Sequence, residues 1–238
     1  MFADKEKDIG KNKKLDHDRH YIYFLTANPP NTRPTKAQDV MQEIKEMVEQ
    51  KVQRKGGKEV KFYPGAFATR WKDVMRNLRT FHQRKGKLPE VVHFLCHGNV
   101  DVTDEDQTKL AFEDGPVNSF QVAALFEGLS SVAKDYSCSG VKCVIFSVCH
   151  SEEFGPALVD HYYSETGIEA TIASQGSLNI IENKHYCANL YMAMCFGDSL
   201  QSSHEQAKIG CKRDGVGAPK LLLAMHEEDS PLLLFPSS

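Results

Sequence analysis

Two stretches of the chain, Val91-Val-His-Phe-Leu-Cys96 and Val141-Lys-Cys-Val-Ile-Phe-Ser-Val148, are apolar at nearly every position rather than at alternate ones. A strand of that kind needs cover on both faces, which is the condition of an interior strand in a parallel sheet with helices on both sides. Each run stops at a histidine: His97-Gly98 after the first, Cys149-His150-Ser151 after the second. The surrounding segments fit the same scheme. Tyr21-Ile-Tyr-Phe-Leu25 reads as a first strand, closed by the turn former Asn28-Pro-Pro-Asn31. Val40, Ile44, Met47, Val48 and Val52 recur at helical spacing, with Thr35 and Gln38 as a capping box and an end near Gly56-Gly57.

A short strand over 60–63 and an amphipathic helix carrying Trp71, Val74, Met75, Leu78 and Phe81 come next. Residues 99–114 read as a β-hairpin excursion with an acidic tip, and Asn118 with Gln121 caps a helix bearing Val122, Leu125, Phe126 and Leu129. Beyond residue 151 the pattern predicts a helix near 156–163, a strand over 169–174, helices over 183–196 and 199–210, and a last strand over 221–225. Strands alternating with helices predict an α/β layered fold with a mainly parallel central sheet flanked by helices. No internal repeat or low-complexity linker interrupts it. Residues 1–19 are charged and almost free of apolar side chains, so they read as a solvated, disordered tail before one domain over 20–238.

In open α/β sheets, ligands sit beyond the carboxyl ends of the strands. If the two apolar strands are parallel neighbours, their ends lie about 4.8 Å apart, and His97 and Cys149 leave adjacent ends. That is the arrangement for a thiol nucleophile served by an imidazole. Cys149 would attack a carbonyl carbon while His97 assists the thiol and protonates the leaving amine. Gly98 has no Cβ to block its N–H, and with the N–H of Cys149 it would form an oxyanion hole. Packing without chemistry is the alternative reading of the same two residues.

The order of these motifs and their flanks resembles a CHAT domain of the caspase-like cysteine peptidase clan, the group that includes caspases and separase. The resemblance runs from about residue 20 to 225. It rests on the opening strand through Pro30, on His93-Phe-Leu-Cys-His-Gly98, on residues 110–115 with the helix carrying Leu125-Phe126, and on Val144-Ile-Phe-Ser-Val-Cys-His-Ser151. Ala173-Ser-Gln-Gly176 and Ala188-Asn-Leu-Tyr-Met-Ala-Met-Cys-Phe-Gly197, with Ser199-Leu200 and Ala207, extend it. It implies a caspase-like three-layer sandwich, a cysteine endopeptidase with His97 and Cys149 as its dyad, and no cofactor. It also implies a protein substrate and, for a latent module of this kind, an activating or sensor protein. His150 departs from the small or tyrosyl residue that often follows the nucleophile in the family. CHAT domains are also commonly fused to helical repeats or sensor domains, and no such segment is read here. A non-catalytic or latent signalling scaffold is therefore the alternative function. Substrate contacts are expected from residues 99–114 and 174–179.

Other chemistries fit less well. Cys96-His97 and Cys149-His150 are vicinal pairs without the spacing that lets one turn supply two zinc ligands. Residues 101–106 lack the glycine and the closing glutamate of a calcium loop. The loop after the first strand has no glycine-rich phosphate cradle, which argues against a nucleotide enzyme. With 29 Lys plus Arg against 32 Asp plus Glu, there is no basic excess to attract nucleic acid or anionic lipid. The apolar runs are too short to span a membrane, and residues 1–14 lack the apolar core of a signal peptide, so a cytoplasmic protein with reduced cysteines is expected. His93, Cys96 and Cys143 read as core, His93 with hydrogen bonds. Glu152 and Glu153 read as a solvent-facing first turn of the next helix.

Overall fold

In a computed structural model that describes residues 19–27, 29, 36–65, 70–100, 108–226 and 231–235, the strands follow the alternation of the sequence. They are β1 (His20–Thr26), β2 (Val60–Pro64), β3 (Val91–Leu95), β7 (Cys143–Ser147), β8 (Ala170–Ser174) and β9 (Leu221–Met225), in the sheet order β2-β1-β3-β7-β8-β9. All are parallel except β9, which runs antiparallel to β8 at one edge. Between β3 and β7, a separate antiparallel sheet is formed by β4 (His97–Val100), β5 (Thr108–Phe112) and β6 (Gly115–Val117).

Because successive strand residues point to opposite faces, the two sides of the sheet become two cores. Ile22, Phe24, Leu95 and Ile145 pack under α1 (Ala37–Lys55), α6 (Ile180–Cys195) and α7 (Leu200–Arg213). Tyr21, Tyr23, Phe94 and Phe146 pack under α2 (Trp71–Lys85) and α3 (Ser119–Asp135). The fold is thus three layers around a mainly parallel sheet, as the two unbroken apolar runs require. Phe94 shows what holds the second core: its ring stacks on Phe146 with centroids 5.3 Å apart and meets Phe126 edge-on at 6.4 Å. Truncating Phe94 to Ala is expected to destabilise the domain by about 3–5 kcal/mol, read as a fall in the urea midpoint at unchanged slope.

Polar ties fix the ends of these elements. The Glu90 carboxylate accepts from the Tyr21 N–H (2.8 Å) and from Lys87 Nζ (2.9 Å), which joins the starts of β1 and β3. Burial alone would raise that carboxyl, but His20, the Tyr21 N–H and Lys87 hold it below the usual carboxylate range. The Asn118–Gln121 box at α3 forms in both directions. The start of α1 differs from expectation. Lys36 is the N-cap in a left-handed conformation (φ 47°) without a side-chain cap, and Thr35 lies outside the described residues. The tail over 1–18, most of the Asn28–Asn31 turn and the acidic tip at 101–106 also lie outside them. The helix expected near 156–163 is broken into α4 (Phe154–Pro156), a π-turn over Ala157–His161 and α5 (Tyr163–Thr166). Pro156 has no N–H to donate, and the Tyr162 N–H reaches back to the Ala157 carbonyl (3.1 Å), which widens the turn.

Candidate active site

The register of the two central strands carries the geometry of the site. β3 and β7 pair in parallel from Val91 with Cys143 to Leu95 with Ser147. His97 and Cys149 therefore each stand two residues past the last matched pair, on neighbouring strands. His97 lies not in a loop but at the start of a second strand. The chain bends at Cys96, leaves the main sheet, and His97 and Gly98 open β4, paired with Ala111 and Leu110 of β5. This departure lays β4 against the turn that carries Cys149. A Cβ built on Gly98 would overlap the carbonyl oxygen of Cys149 and come within 3.1 Å of Val148 Cγ1. Backbone cannot give way as a side-chain tip can, so only glycine fits at this approach. Gly98→Ala is expected to push β4 off the turn at a cost of about 1–3 kcal/mol, visible as a lowered thermal midpoint.

The turn after β7 is tied to the segment after β8. The N–H groups of His150 and Ser151 donate to the carbonyls of Gly176 (2.8 Å) and Ser174 (2.9 Å). Ser151 Oγ donates to the Val148 carbonyl (2.9 Å) and accepts from the Ser174 N–H (2.9 Å). His150 takes a left-handed conformation (φ 54°), a sharp turn that a histidine adopts only under constraint. The sulfur of Cys149 accepts a hydrogen bond from the Leu178 N–H at 3.3 Å. Cys149 and Cys138 are half-buried, whereas the other five thiols are buried. Burial pushes Cys96, Cys187 and Cys195 up to about 12 and Cys211 to about 11, and Cys143 higher still.

A cavity of about 580 Å³ opens beside the strand ends, lined by His97 and Cys149 together with Leu95, Cys96, Ser147, Leu178, Ile180 and Ile181. Its far wall is the start of α1, with Lys36, Asp39, Val40 and Glu43, and Lys184 of α6 completes it. Lys184 forms an ion pair with Glu43 at the rim. Beneath the floor lies a buried polar network. Asn183 Nδ2 donates to Ser147 Oγ (2.9 Å), Ser147 Oγ bonds His93 Nε2 (2.6 Å), and His93 Nδ1 bonds the Tyr191 hydroxyl (2.7 Å). His93 is 0% exposed, and burial drives it down to about 3, so its imidazole is neutral at ordinary pH.

No protein-family profile matches the chain, and no curated protein resembles it significantly in sequence. Solved structures do resemble it in shape. The initiator caspase Dronc of Drosophila superposes with a TM-score of 0.56 over 94% of this chain and 85% of its own, at 11% identity. Caspase-1 from Spodoptera frugiperda gives a TM-score of 0.55 over 99% of this chain and all of its own, at 10% identity. The fold is caspase-like.

In that caspase-like frame some site expectations change. Of the two segments expected to contact substrate, 174–179 supplies Leu178 to the cavity, while the described part of 99–114 supplies no lining residue. The α1 wall was missed in the sequence, because Asp39 and Glu43 look like any solvated helix face and only the fold turns them toward the strand ends. His150 is absent from the lining. Glu152 departs from the solvent-facing expectation: it is half-buried, and one carboxylate oxygen is shielded without a hydrogen-bond partner. His93 is the hydrogen-bonded interior histidine that its place in an apolar run predicts. Among the described residues no three His, Cys, Asp or Glu side chains converge as a metal site, and no helix is long and apolar enough to cross a membrane.

Proposed function

We propose that this chain is a cysteine endopeptidase of the CHAT type, with Cys149 as nucleophile and His97 as its acid/base partner. The observation that carries the reading is the matched overhang of His97 and Cys149 past the Leu95–Ser147 pair, at the mouth of one cavity. The thiolate of Cys149 attacks the substrate carbonyl carbon, a C–S bond forms, and the carbonyl electron pair moves onto oxygen. The N–H groups of Gly98 and Cys149 are the donors for that oxyanion, each worth a few kcal/mol in a site of this kind. When the tetrahedral species collapses, the C–N bond breaks and His97 gives its proton to the departing amine. Water, deprotonated by His97, then opens the thioester and releases the acid and the thiol. The sequence requires no cofactor, and the substrate is a protein or peptide. An activating or sensor protein is the partner that a latent module of this type would take.

The test is cleavage of an unfolded protein mixture, with new N-termini identified by mass spectrometry. Wild type is expected to generate cuts that Cys149→Ala and His97→Ala lower by about 10³-fold or more. Equal cleavage by wild type and Cys149→Ala would overturn the proposal.

A further inference from the structure

Resting on that reading, we infer that the cavity beside Cys149 receives the side chain on the acyl side of the cut bond, and that it selects an uncharged, mainly apolar one. That side chain hangs one atom from the carbon the sulfur attacks. A cavity lined by both Cys149 and His97 is therefore the one it enters. The volume of about 580 Å³ holds a large side chain together with the backbone that carries it.

Charge decides the class. The lining carries two cations, Lys36 and Lys184, and two anions, Asp39 and Glu43, so its formal charge sums to zero. Lys184 and Glu43 already neutralise each other, while Lys36 and Asp39 are exposed at the mouth, where water screens them. The inner surface is Val40, Leu95, Cys96 and Leu178, with Ile180 and Ile181 standing exposed at the rim. Ser147 contributes a hydroxyl at the floor, but its hydrogen bonds go to Asn183 and His93. An aspartate or arginine side chain entering here loses hydration, and the opposite charges it meets are Lys184 and Glu43, already paired, and Lys36 and Asp39, screened by water at the mouth. A leucine or phenylalanine gains by covering the exposed isoleucines.

The experiment alkylates the whole chain with capped peptidyl chloromethyl ketones that differ only in the last residue (Leu, Phe, Asp or Arg), following Cys149 by peptide mass. Chloroacetamide, which has no side chain, sets the baseline. The leucyl and phenylalanyl ketones are expected to react about 100-fold faster than the aspartyl and arginyl ones. In Lys184→Gln, which leaves Glu43 unpaired in the cavity wall, the arginyl ketone should gain about tenfold on the leucyl one. A charged ketone that matches or beats the leucyl one overturns the inference and leaves the peptidase reading standing. If no ketone outpaces chloroacetamide, the peptidase reading falls. The pocket is then decided by binding of the corresponding peptide amides to Cys149→Ala. Shifts of the Ile180 and Ile181 methyl resonances with the leucyl amide alone sustain it, and their absence overturns it.

Discussion

Lowering the pH from 7 to 4 is expected to remove a large part of this protein's stability, and His93→Gln should flatten that decline by about one proton's worth of slope. His93 is fully buried, with its two ring nitrogens held by Ser147 and Tyr191 and the Phe24 ring 4.7 Å from its own. Burial takes it from 6.5 to about 3. The unfolded chain therefore binds a proton between those values that the folded chain refuses. Stability is complete above pH 6.5 and is lost as the pH falls toward 3. At about 1.4 kcal/mol per pH unit the whole displacement amounts to roughly 4–5 kcal/mol, comparable to the net stability of many domains. His204 acts in the same direction. It bonds the Tyr186 hydroxyl (2.5 Å), and burial, with Lys208 as a smaller contribution, lowers it to about 4. Urea unfolding at pH 7, 6, 5 and 4 measures the slope. An identical slope in His93→Gln would show that His93 protonates freely in the folded state.

What could be read beforehand follows from which residues encode their own surroundings. Unbroken apolar runs such as 91–96 can only be interior parallel strands, and a strand ending in His97-Gly98 or Cys149-His150 puts those residues at a sheet edge where ligands collect. The sheet, and the placing of His97 and Cys149 past the ends of neighbouring strands, were legible for that reason. Asn118 and Gln121 were legible because a capping box is local. The wall of the cavity was not. Glu43 and Lys184 meet across α1 and α6, which are separated by more than a hundred residues, and no local pattern marks the pair. His93, Ser147 and Asn183 likewise come from three elements and converge only because β3 and β7 pair in one register. The π-turn after Pro156 escaped because propensity predicts that a helix forms, not how its hydrogen bonds slip.

The second large effect concerns the thiols. Iodoacetamide at pH 7 is expected to modify Cys149 at least about 10³-fold faster than Cys96, Cys143, Cys187, Cys195 and Cys211. Those five are buried and, with burial holding the thiol form, must wait for local opening before they react. Exposure alone would give Cys149 much of that advantage, so Cys138, equally half-buried but away from His97, is the internal standard. The part that belongs to the dyad is the ratio of Cys149 to Cys138. In the proposed dyad an imidazole on the neighbouring strand end serves the thiol as base, and the Leu178 N–H, 3.3 Å from the sulfur, is placed to donate to it. The ratio should stand at about ten or more in wild type and fall toward one in His97→Ala, while His150→Ala leaves it unchanged because His150 does not line the cavity. A ratio near one in wild type would mean that His97 and Cys149 share a cavity without sharing a proton. The matched overhang of β3 and β7 would then be architecture alone.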